Sequence, residues 1–385
     1  MPPSSIFVIA LALLSSAATY AAQPIIPPAP GIDATSYLLI DAHSQKVLIE
    51  HNSNEQNPPA SLTKIMTSYL AEKEIEAGRI HPDDQVLVSV EAWRKGGSKM
   101  FIREGTRVSV GDLLRGIIIQ SGNDASVAIA EHIAGSESAF ADMMNQQAAV
   151  LGLTNTNFRN STGLPADDHY SSAWDLAMLT RALIEEYPEH YALYSERSFI
   201  FNEIEQANRN KLLWRDRTVD GVKTGYTSKA GYCLVASAVR DGMRLISVVM
   251  GTDSDRARMQ ESQKLLSYGF RYFETQELYP GETSLLTKEI FYSESETLDI
   301  GVAEKIVVTF PRGYYNDIET ELKVRSILEG PVKKGDEVGK LYLRLHGETF
   351  VTRPLVALED APEAGMFSRF GDFIYLFFAQ LLGSD

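Results

Sequence analysis

Apolar and polar positions alternate with a period of two along "YLLIDAHSQKVLIEHN" (37–52), which predicts two strands about a polar turn. From 61 to about 187 the spacing becomes that of helices packed on one side. Such segments are 62–77, "VGDLLRGIIIQ" (110–120), "ASVAIAEHIAG" (125–135), "ESAFADMMNQQAAVLGL" (137–153) and "SSAWDLAMLTRALIEEY" (171–187). Ser172 and Asp175 form a capping box for the last of these, and Pro188 stops it. From 219 the two-residue period returns in "VDGVKTGYT", "GYCLVASAVR" and "RLISVVMGT", the latter two joined by a tight turn at Asp241-Gly242. A helix over 257–274 follows. Strands at both ends of this region with helices between them predict one α/β (α+β) domain over 32–276. Its sheet is built mainly from antiparallel strands, with helices on its faces. After "TQELYPGET" the helical period disappears, and "KIVVTFPRG", "ELKVRSI", "KLYLRLHG" and "TFVTRPLVAL" predict a small all-β domain over 280–360.

The two ends of the chain have their own patterns. Residues 1–22 hold an apolar run over 6–14 followed by small residues, the pattern of an export signal, although no Lys or Arg precedes the run. Cleavage near Ala22 or Gln23 is expected. At the other end, 362–385 is expected to hold an amphipathic membrane-anchoring helix. Within 366–382, Met366, Phe367, Phe370, Phe373, Ile374, Phe377, Phe378, Leu381 and Leu382 fall on one half of a helix, and Leu376 alone is misplaced. Arg369 and Asp372 argue against a bilayer span, so the segment is expected to lie in the membrane interface, with packing on its own domain as the alternative.

Charge and cysteine content narrow the functions. A formal net charge of −15 with no basic run argues against nucleic acid as a partner. Cys233 is the only cysteine, which leaves no intrachain disulfide and no Cys-rich zinc site, and the seven histidines lack metalloprotease spacing. No metal or other cofactor is expected.

Three short motifs carry the candidate chemistry. Ser61 and Lys64 stand one helical turn apart, after the Pro58-Pro59 pair; Ser121-Gly122-Asn123 lies between two helical segments; Lys223-Thr224-Gly225 opens a strand. Ser61 alone reads as a helix cap. With Lys64 on the same face it also reads as a nucleophile beside its base, provided part of Lys64 is neutral, and a second cation such as Lys223 would favour that.

Together these motifs resemble the penicillin-recognising serine enzymes. "PASLTKIMTSYL", "SGNDASVAIAEHIAG", "VDGVKTGYTSKAGYCLVASAVRDGMRLISVVMG" and "ESQKLLSYGFRYFE" are similar in particular to the low-molecular-mass penicillin-binding proteins that act as D-alanyl-D-alanine carboxypeptidases. The resemblance implies a penicillin-recognising serine enzyme domain, the small all-β domain and the C-terminal helix. It implies that Ser61 attacks the penultimate D-alanine carbonyl of peptidoglycan stem peptides ending in D-Ala-D-Ala, with Lys64 as base. By the same resemblance Ser121 and Asn123 relay protons and hold substrate, and Lys223 and Thr224 meet the terminal carboxylate. Gly225 then lets the strand lie close to the peptide, and the N–H groups of Ser61 and Tyr226 form the oxyanion hole. Arg209 and Arg258 match arginines near the carboxylate end, against a reading as surface salt bridges. β-Lactam antibiotics would acylate the same serine, and the enzyme would work at the periplasmic face of a bacterial inner membrane.

Two positions depart from relatives that carry histidine: Thr162 in "NSTGLPADDHY", and Tyr226 after the Lys-Thr-Gly. His169 is expected to be a solvated loop residue rather than a substitute. A β-lactamase role would need a carboxylate to activate the deacylating water, usually in an E-x-x-x-N loop after the Ser-x-Asn motif, and the loop "NFRNSTGLPADDHYSS" has no such spacing. Asp167 and Asp168 read as exposed turn residues. A catalytically dead wall-binding scaffold is disfavoured because all six motif side chains with chemistry are present. An endopeptidase using the same acyl chemistry is the nearer alternative.

Overall fold

The computed structural model describes residues 26–382, so the expected export signal over 1–22 lies outside the described residues. Five strands build the principal sheet: β1 (Ser36–Asp41), β2 (Val47–His51), β3 (Val219–Thr227), β4 (Gly231–Arg240) and β5 (Met243–Thr252). Their order is β2-β1-β5-β4-β3 and every pairing is antiparallel. Because side chains alternate between faces, each strand feeds two cores. Leu38, Ile40, Val235, Ile246 and Val248 enter the larger one. Leu39, Leu234, Ala236, Leu245 and Val249 enter the other. The turn between β4 and β5 has φ of 50° at Asp241 and 80° at Gly242, the backbone twist that joins two strands tightly.

On the larger core pack α1 (Lys64–Glu76), α2 (Asn123–Ala134), α3 (Glu137–Val150) and α4 (Ala173–Glu186). The Ser172 side chain accepts from the N–H of Asp175 and caps α4, which ends two residues before Pro188. The segment 110–120 departs from a single helix: Val110–Arg115 is α-helical, and Gly116–Gln120 widens to a π turn that ends on Ser121. The opposite face of the sheet is covered by α5 (Asp255–Tyr272), through Met259, Leu265, Leu266 and Phe270.

Seven strands follow: β6 (Phe273–Tyr279), β7 (Thr283–Glu289), β8 (Thr297–Val302), β9 (Ile306–Pro311), β10 (Ile318–Val324), β11 (Glu337–Leu345) and β12 (Glu348–Ala357). They form a five-stranded sheet of order β7-β8-β12-β11-β10 and a β6-β9 pair around their own apolar core. This β unit is pinned to the principal sheet by hydroxyls. Ser44 Oγ and Thr309 Oγ1 lie 2.5 Å apart, and Thr275 Oγ1 donates to Asp41 Oδ2 at 2.8 Å.

The last helix, α6 (Met366–Leu382), exposes Met366, Phe367, Phe370, Phe373, Ile374, Phe377 and Phe378. Its other side rests on the β unit. Asp372 Oδ2 accepts from the N–H of Tyr292 at 2.6 Å, and Tyr375 stacks on Phe291 with ring centroids 5.8 Å apart. Leu376, one turn after Asp372, is buried, which accounts for the single apolar position off the exposed arc. Among the described residues no helix is long and apolar enough to cross a membrane.

Candidate active site

The nucleophile segment is a 3₁₀ turn, Ala60–Thr63, placed between Pro59 and the first residue of α1. Thr63, not Ser61, is the N-cap residue of α1, so Ser61 is not its cap. Two close approaches fix this turn. A Cβ at Gly163, where φ is +80°, would lie 1.7 Å from the Ala60 carbonyl oxygen; one at Gly225 would lie 3.1 Å from that of Pro59. Gly225 thus allows its strand to approach the protein's own nucleophile segment.

Lys64 is fully buried under Ser61. Its Nζ donates to Ser61 Oγ at 3.2 Å, Asn123 Oδ1 at 2.6 Å and the Thr162 carbonyl at 2.5 Å. Burial, and next the positive charge of Arg209, bring its pKa down to about 7. The sequence pointed to Lys223 as the second cation; in the structure the lowering comes from burial and then from Arg209. A neutral fraction at Lys64 is what proton abstraction from a serine hydroxyl requires.

Ser121 ends the π turn in the left-handed region, with φ of 64°, and its buried Oγ has no hydrogen-bond partner among the described residues. Asn123 opens α2 and is held by its amide, which donates to the Gly96 carbonyl at 2.7 Å. The next residue was missed in the sequence. Asp124 is buried, and its carboxylate accepts from the N–H groups of Met100 at 2.9 Å, Phe101 at 3.0 Å and Ile102 at 3.3 Å, tying a loop to the base of the motif. An acid in the first turn of a helix was the available signal.

Strand β3 forms the opposite wall. Lys223 is buried, its Nζ donates to the Thr224 carbonyl at 3.0 Å, and burial followed by the charges of Lys64, Arg209 and Arg258 holds its pKa well below the ordinary lysine value. Above these groups opens a cleft of about 390 Å³ whose lining includes Ser61, Ser121, Thr224, Tyr226, Arg209 and Arg258. Arg209 stands at its mouth, donating through Nε to the Gln120 carbonyl at 2.8 Å. Arg258 is buried and lies against Tyr232; it donates to the carbonyls of Gly225 at 2.9 Å and Cys233 at 3.3 Å and pairs with Asp255. Neither arginine is an isolated surface ion pair.

The loop after α3 closes the floor. Asn160 Oδ1 accepts from the Thr162 hydroxyl and from the Gly163 N–H, which turns the Thr162 carbonyl toward Lys64. His169 corrects the sequence reading of a solvated residue. It is buried, Nδ1 accepts from the Arg159 N–H at 3.3 Å, and Nε2 lies 2.9 Å from Thr63 Oγ1. Burial first, and then the Arg159 charge, lower its pKa to about 4, so the ring is neutral and, with Nδ1 accepting, donates through Nε2. Asp167 and Asp168 are exposed. Among the described residues no group of three or more His, Cys, Asp or Glu is arranged to hold a metal ion.

Comparison with known proteins agrees with this geometry. Residues 22–254 match the D-alanyl-D-alanine carboxypeptidase family, and 273–363 match the C-terminal domain of penicillin-binding protein 5. The D-alanyl-D-alanine carboxypeptidase DacC of Escherichia coli (strain K12) is 43% identical over 383 residues, covering 97% of this chain and 96% of the relative. The fold is similar to the crystal structure of penicillin binding protein 5 from Haemophilus influenzae, with TM-score 0.86 and 40% identity, covering 88% of this chain and all of that one. Penicillin-binding protein D2 from Listeria monocytogenes, solved in an ampicillin-bound form, is similar over 63% of this chain and 100% of its own, with TM-score 0.59 and 29% identity. With a family match over more than half its length and a relative this similar end to end, the chain belongs to the D-alanyl-D-alanine carboxypeptidase family.

Proposed function

We propose that the protein is a serine D-Ala-D-Ala carboxypeptidase that trims peptidoglycan pentapeptide stems. The carrying observation is the buried Lys64 amine, 3.2 Å from Ser61 Oγ, with a pKa near 7, beneath an open polar cleft. Neutral Lys64 takes the Ser61 proton as Oγ bonds to the carbonyl carbon of the penultimate D-alanine. The N–H groups of Ser61 and Tyr226 receive the oxyanion. The C–N bond then breaks, D-alanine leaves with a proton relayed through Ser121, and an ester remains on Ser61. Water adds to that ester, the stem leaves one residue shorter, and the hydroxyl is restored.

In this reading Asn123 holds Lys64 and the substrate backbone, while Thr224, Lys223 and Arg209 meet the terminal carboxylate. Arg258, whose guanidinium is engaged with two carbonyls and Asp255, keeps Gly225 and its strand in place. The chemistry calls on no metal and no cofactor. A β-lactam presents a strained amide to the same groups and acylates Ser61.

Residues 1–22 direct export, 32–276 form the catalytic domain, 280–360 a spacer, and 362–385 an anchor that lays its aromatic arc in the periplasmic face of the inner membrane. The exposure of Phe367, Phe370, Phe373 and Phe377 supports the anchor.

Mass spectrometry of the protein incubated with a muropeptide pentapeptide tests the activity. Loss of one alanine is expected; release of cross-linked partners instead would favour an endopeptidase, and an unchanged pentapeptide would remove the reading. After penicillin treatment, the adduct should lie on the tryptic peptide containing Ser61.

A further inference from the structure

Where the principal sheet meets the β unit, a second cleft of about 670 Å³ opens, sharing no lining residue with the catalytic one. His43, Ser44, Arg181 and Arg244 line it from one side, Glu304, Lys305 and Arg353 from the other. In a chain of net charge −15, four Lys and Arg side chains around one cleft form a local reversal of sign.

The charges on the two sides are differently committed. Arg181 pairs with Glu185 at 2.8 Å and donates to the Ala42 carbonyl; Arg244 pairs with Asp220 at 2.8 Å. Lys305 and Arg353 are exposed and have no carboxylate within ion-pair distance among the described residues, and Glu304 likewise has no cation. Two unpaired cations and one unpaired acid facing the same cleft are the complement of a zwitterion with more carboxylates than amines. Glu304 and Glu185 would repel a phosphate polyanion, and Glu304 offers an ammonium group its partner.

We propose that this junction cleft is a second binding site, for the carboxylate-rich, amine-bearing portion of a cell-wall stem peptide, held by Lys305, Arg353 and Glu304. The choice of a stem peptide rests on the proposed activity; the charge pattern stands without it. Bound there, the peptide touches both halves of the molecule next to Ser44, whose hydroxyl is one of the groups joining them. It also reaches Arg244, whose ion-pair partner Asp220 lies on β3 three residues before Lys223. The site therefore brings wall to the enzyme at a place other than the one where it is cut.

The test measures binding rather than turnover, on the full chain carrying Ser61→Ala, so that a failure of the proposed chemistry leaves the result readable. A stem tripeptide that ends in a diamino acid and lacks D-Ala-D-Ala is titrated by calorimetry. Saturable binding is expected, weakened by about tenfold or more in Lys305→Ala/Arg353→Ala and unchanged in the control Lys323→Ala, which is two strands from Arg353 with its side chain on the other face of that sheet. Amidating the tripeptide carboxylates should weaken it similarly. Absence of saturable binding, or equal affinity in the Lys305→Ala/Arg353→Ala variant, overturns the proposal. An equally tight response to inorganic phosphate also overturns it, since that would mark a general anion sink.

Discussion

The side chain hydrogen-bonded to the Ser61 hydroxyl, Lys64, is placed where a charged amine is costly. Burial dominates the lowering of the Lys64 pKa to about 7, and the Arg209 charge adds to it. With the neutral amine as the proposed base, the rate of penicillin acylation should rise with pH through about 7 and level off above it. Lys64→Ala should reduce acylation by roughly 10²- to 10⁴-fold, the usual share of a general base. Arg209→Ala removes a cation that disfavours protonated Lys64, so the midpoint of the pH profile should move upward; a midpoint that stays or falls would separate Arg209 from Lys64. His169 adds a second titration. Its folded pKa of about 4 lies below the free value of 6.5, so the unfolded chain takes up the proton first as pH falls. Stability should be complete above about 6.5 and decline toward 4, by on the order of 3 kcal/mol for this group. Urea unfolding of the wild type and His169→Gln across that range checks it, with a shallower pH slope expected in the variant.

The two glycines packed against the nucleophile turn, Gly163 and Gly225, carry no side-chain chemistry, yet they determine where the hydroxyl points. Gly163, from the loop after α3, leaves no space between itself and Ala60, and its φ of +80° excludes most side chains. Gly163→Ala should therefore displace the nucleophile turn, costing about 1–3 kcal/mol in thermal unfolding and lowering acylation more than a surface alanine would. The three motifs were legible in the sequence because each depends on neighbours one turn or one strand position away: Ser61 with Lys64, Ser121 with Asn123, Lys223 with Thr224. What escaped was set by distant partners. The Thr162 carbonyl reaches Lys64 across 98 positions, Asp124 holds backbone more than 20 residues earlier, and His169 is buried through Thr63, 106 residues away. The π turn before Ser121 escaped because its apolar residues, Ile117 to Ile119, fit a helical period of either width.

The described residues form the unit of the principal sheet, a β unit and a helix in series, each with a separate apolar surface. Truncation after Pro362 removes every exposed ring of α6 and none of the catalytic side chains. The shortened protein should stay in solution with liposomes, while keeping its rate on a soluble pentapeptide. Salt should release little of the full chain, because the helix carries only one basic residue, Arg369, and that is paired with Glu363. Pelleting of the truncated form would move the attachment elsewhere. The bond from Tyr292 N–H to Asp372 fixes the helix against the β unit. A helix joined to the rest by slack chain would let the enzyme swing over any nearby substrate, as a boat swings about its mooring. Fastened by Asp372, Tyr375 and Leu376, the helix acts as a bracket; with its aromatic arc in the bilayer, as proposed, it would keep the catalytic cleft at a set altitude. Stems within that layer would be cut and those outside it spared, so length of reach would join side-chain chemistry in choosing what is trimmed.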